Sequence, residues 1–306
     1  MRRALLSLVV VCTTWGTIPL LARRVELPPG AIVFVRVWVG AAGLAVVALL
    51  RGHDRRTADS PAFAPALGWR AILVGPLLAV HWTAMFAGYQ HAPDDIVVFV
   101  VFLAPVGIAL AAPAVLGERL TRSTIAALAV AVVGFVLVTA PSLGAGGESG
   151  SRSGIAYAAL SGLTLVILVL VSKPLAERHG GFRLTRIELT GAGLVLIPVA
   201  AGVDWGRPTA AQWASLVVLG VVHTAAGITL YLNALAVVPA TQVGILGYLE
   251  PAAVVVASWV FLSDTPSAAT TVGGALIITA GLLVIRSGGG DELGATFSEV
   301  HVDVPG

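Results

Sequence analysis

The sequence predicts an all-α integral membrane protein of ten transmembrane helices arranged as two inverted five-helix repeats. Three observations lead there: a composition too apolar for water, a succession of apolar segments of bilayer-crossing length, and a gapless internal match between two halves. Of 306 residues, 57% are hydrophobic and 11% charged, where soluble domains carry about 25% charged residues. The net charge of +2 and the scatter of the basic residues between apolar runs give no footprint for nucleic acid. A single cysteine, Cys12, excludes an intramolecular disulfide and a cysteine-based metal cluster. It reads as a small buried hydrophobe. Met1-Arg2-Arg3 and the apolar stretch after them resemble a signal peptide, but further apolar segments follow, so the stretch reads as a retained first helix.

A helix crossing a bilayer core needs about 20 mainly apolar residues. Segments of that kind run over Ala4–Leu21, Gly30–Leu50, Ala71–Tyr89, Ile96–Leu116, Ile125–Ala140, Gly154–Ser172, Ile187–Val203, Trp213–Ala236, Thr241–Leu262 and Ala268–Ile285. The connections are short except for the charged stretch Arg51–Arg70 and the Gly/Ser-rich run Ser142–Ser153, which reads as a linker. Residues 1–141 then form a first five-helix repeat, 142–153 the linker, 154–286 a second repeat, and 287–306 a polar, Gly-rich cytoplasmic tail expected to be disordered.

Cytoplasmic loops collect Lys and Arg. With the N-terminus inside, the inner segments hold 13 of the 18 cations and the outer segments Arg23, Arg24, Arg152 and Arg207, while Arg36 lies within the second helix. Both termini are therefore expected in the cytoplasm, in a bacterial inner membrane. A shift of 146 residues aligns Pro93 with Pro239, Leu103 with Leu249, Pro105 with Pro251, Leu116 with Leu262 and Glu118 with Asp264. An odd number of spans per half turns the second copy upside down, the architecture of alternating access around a midplane site.

Trp15-Gly16, Pro29-Gly30 through Arg36, Leu103-Ala104-Pro105, Leu116-Gly117-Glu118-Arg119-Leu120-Thr121 and Leu249-Glu250-Pro251 resemble, in this order, the EamA-type transporters of the drug/metabolite transporter superfamily. The resemblance covers residues 4–286 and implies ten helices in inverted repeats, cytoplasmic termini, and movement of amino acids, related metabolites or drug-like compounds, with export the commoner direction. Ser263-Asp264-Thr265-Pro266 departs from the family's usual Gly-Glu pattern. That departure removes support for a role of Asp264.

A charged side chain at membrane depth costs about 2.5–3.5 kcal/mol on the insertion scale, so each needs a reason. Glu250 lies near the middle of its span, just before Pro251, which frees a carbonyl about one turn earlier near Gly247, where a broken helix lines a cavity. It reads as a contact for a substrate amine or as a proton carrier, against a structural carboxyl bonded to a neighbouring helix. Pro105 is the matching kink, with Ala104 in the place of the acid. His81 and His223, in helices three and eight, read as proton relays or substrate contacts, or as helix-bridging hydrogen bonds. Trp82 and Asn233 share those helices and are candidates to line the same cavity. For Arg36 the choice is an anion contact, a pairing with Glu250, or the blander snorkelling to the outer headgroups, within reach of about 10 Å of helix and the favoured reading. Asp94 and Asp95 fit a helix start, Glu118 and Arg119 a turn between helices four and five, and the small residues Gly154, Ala158 and Gly162 a close helix crossing.

Neither glycine run, Gly144-Ala145-Gly146-Gly147 nor Gly288-Gly289-Gly290, is followed by Lys and Ser/Thr, and the one lysine, Lys173, precedes Pro174, so no Walker-type ATP site is encoded. No cofactor and no metal site are expected. The expected partners are a small-molecule substrate, the lipid bilayer, a coupled proton or other ion, and a second copy in a homodimer. The rivals from other classes are an intramembrane lipid-acting enzyme, for which Glu250 with His81 or His223 is the one thin acid/base constellation, and a non-transporting membrane sensor.

Overall fold

The computed structural model describes residues 1–50, 68–92, 94–145, 151–263 and 265–299, with the backbone alone for 94–95, 141–145 and 287–299. Among these residues the fold is entirely helical, and nine helices are long and apolar enough to cross a membrane. In chain order the elements are α1 (Arg2–Trp15), α2 (Ile18–Ala22), α3 (Pro29–Leu50), α4 (Gly68–His91), α5 (Asp94–Val101), α6 (Ala104–Leu116), α7 (Arg122–Ala145) and α8 (Arg152–His179). The second half holds α9 (Gly181–Val195), α10 (Ile197–Ala201), α11 (Ala210–Val218), a π-helix (Leu219–Ala226), α12 (Gly227–Leu235), α13 (Ala240–Gly247), α14 (Leu249–Leu262) and α15 (Ala268–Glu299).

Four apolar segments are interrupted, and proline chemistry explains where. A proline lacks the backbone N–H and crowds the carbonyl four residues earlier. Ahead of Pro19, Pro105 and Pro251 the preceding helix stops at Trp15, Val101 and Gly247, each four residues upstream, and α9 stops at Val195, three residues ahead of Pro198. At Pro105 and Pro251 the α-helical hydrogen bonding is interrupted while Leu103 and Tyr248 keep right-handed helical dihedrals, and each span runs on as one apolar segment. Pro76, Pro113 and Pro174 stay inside continuous helices, so the residue alone does not dictate a break. The predicted seventh segment, Ile187–Val203, is corrected: helix starts at Gly181, breaks at Leu196, and its two pieces are not among the nine. The last helix runs from Ala268 to Glu299, past the expected end of the second repeat at 286. Residues 300–306, most of the Arg51–Arg70 stretch, the centre of the linker, Pro93 and Asp264 lie outside the described residues.

Caps define other boundaries. Ser151 closes the N-terminus of α8 by accepting from the Gly154 amide at 3.1 Å, two residues before the expected start, and Thr209 and Gln212 form a reciprocal capping box on α11. At the far ends of α6 and α14 the chain turns through the left-handed region at Gly117 (φ 70°) and Ser263 (φ 60°), positions separated by the same 146 residues as the paired prolines. A serine there carries the steric cost that Gly117 avoids.

Helix pairs repeat in kind across the two halves. α4 packs on α8 and on α9, while α12 packs on α1 and the π-helix on α3; α6 meets α8 as α14 meets α1. α7 pairs with α15, and α6 with α13. Large apolar side chains such as Leu50, Trp69, Leu110 and Phe261 cover the outside, the surface expected of a bundle solvated by lipid.

Glycines permit the closest crossings. A Cβ on Gly134 of α7 falls 2.7 Å from the Gly273 carbonyl oxygen of α15, and one on Gly75 of α4 falls 2.6 Å from Gly191 Cα of α9. Gly154 lies against the backbone of His91 and Ala92, and Ala158 is fully buried, so the small-residue stripe of α8 acts in packing as expected. Gly134→Leu is expected to separate α7 from α15 and to destabilise the protein by about 1–3 kcal/mol. A thermal-unfolding midpoint in detergent unchanged from the parent sinks that expectation.

Candidate functional site

The site grows from the breaks and from the π-helix. A π-turn adds a residue to the helical repeat and commonly marks functional positions. Here it presents His223 and Thr224 together toward α1 and α3. The Thr224 hydroxyl donates to the Leu219 carbonyl at 2.9 Å, five residues back, and accepts from Arg36 Nε at 3.0 Å. Its donor and acceptor are both engaged, which fixes the guanidinium. Arg36 Cζ sits 4.3 Å from the centroid of the Trp82 ring, a cation–π contact. Arg36 is 5% exposed. The snorkelling reading is therefore corrected: the side chain turns into the bundle, where a hydroxyl and an indole face replace water.

His223 is held by three partners. Its Nε2 lies 2.9 Å from the Thr17 hydroxyl, its Nδ1 3.3 Å from the Val218 carbonyl, and its own carbonyl accepts from the Trp15 indole N–H at 2.8 Å. Thr17 gives its one proton to the Thr14 carbonyl at 2.8 Å, which leaves its oxygen to the His223 ring. Both Trp15 and Thr17 flank the break between α1 and α2. Trp15 also packs on Tyr231 of α12, with centroids 5.5 Å apart.

Glu250 occupies the first turn of α14, just past the break at Tyr248. That end of a helix favours negative charge. The carboxyl interacts electrostatically with Arg36 and shares that field with Cys12 and Tyr231. No carboxylate among the described residues forms an ion pair with Arg36. Glu250 is part-buried, while its neighbours Tyr248 and Pro251 are buried. Tyr248 itself packs its ring at a tilt on Phe135, centroids 5.3 Å apart and planes at 40°, and so anchors this point of the chain to α7.

The sequence candidates therefore divide. Arg36, Trp82, His223 and Glu250 come together around the breaks of α1 and α13–α14. His81 sits beside Trp82 and interacts electrostatically with Arg36, but its Nδ1 is committed to Ser161, 3.0 Å from the carbonyl and 2.9 Å from the hydroxyl, which bridges α4 to α8. Asn233 does not join them. It is exposed, ten residues of helix or ~15 Å beyond His223, and its Oδ1 accepts from the Gly181 amide at 2.9 Å. Thr17, Thr224 and Ser161 were missed because a lone hydroxyl in an apolar helix carries no pattern. Glu188 was missed because the seventh segment was begun one residue before it; with helix from Gly181, it stands two turns inside and is 3% exposed.

A second cluster ties the α12–α13 turn. Glu118 reaches across to accept from the Thr241 amide at 3.2 Å, the Thr241 hydroxyl at 3.0 Å and the Ala240 amide, capping α13 from the other half. Glu118 was expected to stabilise the connection between helices four and five; it caps α13 instead. Lys173 donates to the carbonyls of Leu235 at 2.9 Å and Val238 at 3.2 Å and pairs with Glu177 at 2.9 Å. The last carbonyls of α12 and the first amides of α13 are thus satisfied by side chains of α8 and of the α6–α7 connection. Asp94 opens α5 by backbone; its side chain and that of Asp95 lie outside the described residues.

A lipid-solvated helical bundle that buries a fixed guanidinium near a carboxyl at broken helices belongs to the class of polytopic membrane proteins with a polar internal site. The chain belongs to the EamA-like transporter family, whose profile matches it twice, over residues 2–140 and 152–286. It is similar, at 28% identity over 94% of both chains, to the probable terminal-alkyne amino-acid exporter of Streptantibioticus cattleyicolor. It is 27% identical to the pseudopaline exporter of Pseudomonas aeruginosa, covering 85% of this chain and 87% of that one. A solved crystal structure superposes with a TM-score of 0.77 at 19% identity, over 92% of this chain and 97% of the other, a likeness in fold.

Proposed function

We propose that the protein is a secondary carrier that exports a small amino-acid-like metabolite by alternating access. The observation that carries this reading is the Arg36–Glu250 arrangement. A guanidinium held on Trp82 and Thr224 faces the field of a carboxyl that is not ion-paired with it, and Tyr231, which packs on Trp15, lies in the field of the same carboxyl. A zwitterion complements such a pair: its carboxylate accepts from Arg36, its ammonium donates to Glu250, and its side chain lies against the aromatic rings. Two relatives named as exporters, one of an amino acid, support the same chemistry and direction.

The reading includes ten spans, with α9 and α10 as the seventh, in two inverted five-helix repeats. The double family match, the 146-residue spacing of Pro105 with Pro251 and of Gly117 with Ser263, and the helix pairs that recur between halves support it. It also places both termini in the cytoplasm of a bacterial cell, on the distribution of cations. Transport then runs on an ion or substrate gradient.

The test is counterflow in proteoliposomes preloaded with unlabelled compound, using L-propargylglycine, L-phenylalanine, L-histidine and decarboxylated phenethylamine as probes. Saturable exchange of an amino acid but not of the amine is expected. Exchange of the amine alone, or of no amino acid, sinks the zwitterion reading.

A further inference from the structure

We propose that Glu188 of α9 is a proton-carrying site separate from the substrate pair, placed between Glu250 and the cytoplasmic end of the bundle. The proposal rests on the carrier reading above and adds its coupling ion.

Glu188 is a buried carboxyl without a hydrogen-bond partner among the described residues; Ser172, Gln242 and Tyr248 also hold unpartnered buried atoms, but their side chains are neutral near pH 7. Arg36, His81, His223 and Lys173 each make side-chain hydrogen bonds, whereas Glu188 makes none among the described residues, and its Oε2 is fully enclosed. An isolated ionised carboxylate in a low-dielectric interior is among the costliest groups to bury. A protein keeps one there only if it is neutral, or if another conformation solvates it. Its placement suits a relay. Gly181, Thr185 and Glu188 recur at helical spacing on one face of α9, and at Gly181 that face is pressed so closely on α12 that a Cβ falls 2.5 Å from the Asn233 amide nitrogen. Further along α12 stands Tyr231, which shares an electrostatic field with both Glu188 and Glu250.

Of the titratable groups on the other helices packed against α9, Arg36, His81 and Lys173 are engaged elsewhere, while His179, in the last turn of α8, keeps its Nε2 without a partner. Arg36 on α3 is on Thr224 and Trp82, His81 on α4 is on Ser161, and Lys173 on α8 is on carbonyls and Glu177; among the described residues Tyr231 is the group that interacts with Glu188. Among the described residues Glu188 has no ion pair and no electrostatic contact with a cation, so a proton is the ion that neutralises it. The step makes and breaks only an O–H bond: Glu188 takes one proton from water in one facing state and returns it to water in the other. Substrate charge is handled at Arg36 and Glu250, so exchange and proton coupling rest on different residues.

Two measurements on the full chain test this. Infrared difference spectra between about pH 5 and pH 9, without substrate, are expected to contain the carbonyl stretch of a weakly hydrogen-bonded carboxylic acid that disappears in Glu188→Gln. An identical band in that variant, or no such band in the parent, overturns the proposal. In proteoliposomes with radiolabelled L-propargylglycine, Glu188→Gln is expected to keep counterflow near the parent rate but to lose accumulation driven by a pH gradient, which at one proton per substrate reaches about tenfold per pH unit. Glu188→Asp is expected to restore accumulation in part. Gradient-driven accumulation intact in Glu188→Gln, accumulation driven by sodium in place of protons, or loss of counterflow in both variants overturns it. Absence of exchange by the parent counts against the carrier reading instead, and the infrared band still decides whether Glu188 carries a proton.

Discussion

Glu250→Gln is expected to weaken binding of a zwitterionic amino acid by about 2–5 kcal/mol, roughly 30-fold or more, the usual loss when one member of a desolvated charge pair is truncated. The substitution keeps shape and helix propensity at the first turn of α14. It removes the carboxyl that interacts with Arg36 and that, in this reading, accepts from the substrate ammonium. The unfolding midpoint should move little, because Glu250 makes no hydrogen bond among the described residues that the amide has to replace. The measurement is the concentration dependence of counterflow together with thermal stability. Unchanged affinity with intact folding assigns Glu250 to structure and removes it from the pathway.

Arg36→Lys is expected to cost about 1.5–3 kcal/mol of substrate affinity, roughly 10- to 150-fold, although the charge is kept. Lysine has no planar face to lie on the Trp82 ring and no Nε to hold the Thr224 hydroxyl, so its ammonium is not aimed. The effect should fall on apparent affinity more than on maximal rate, since a carboxylate still finds a cation there. Combined with Glu250→Gln, it is expected to be non-additive, because both changes act on one bound zwitterion. Additive losses in that double-mutant cycle contradict a shared ligand. Arg36→Lys with parental affinity returns Arg36 to a purely structural role.

Most of the architecture is legible from composition and length. Apolar segments declare themselves because lipid demands about 20 residues that satisfy their own backbone. The limits were local. The seventh segment was begun at Ile187 since Arg183 and Arg186 read as loop, whereas the chain is helical from Gly181 with those charges on its first turns. Of the site, the charged members stood out: a carboxylate or guanidinium in an apolar segment is conspicuous whatever its neighbours. Thr17, Thr224 and the π-helix carry no such signal, because a hydroxyl is cheap in a helix that can bond it to its own carbonyls, as Thr13 and Thr14 do.

By itself, then, the sequence determined that the chain is solvated by lipid, where most of its apolar segments fall, and that Glu250 and Arg36 need an explanation, since solvation cost acts through the identity of single residues. Only the tertiary structure decided that Arg36 turns inward onto Trp82 and Thr224, that Asn233 stands apart, that Glu118 caps a helix of the other half, and that Glu188 is enclosed without a partner. Those outcomes depend on which faces of distant helices meet at closely crossing glycines, and a contact between residues nearly 190 positions apart, such as Arg36 with Thr224, has no trace in local periodicity.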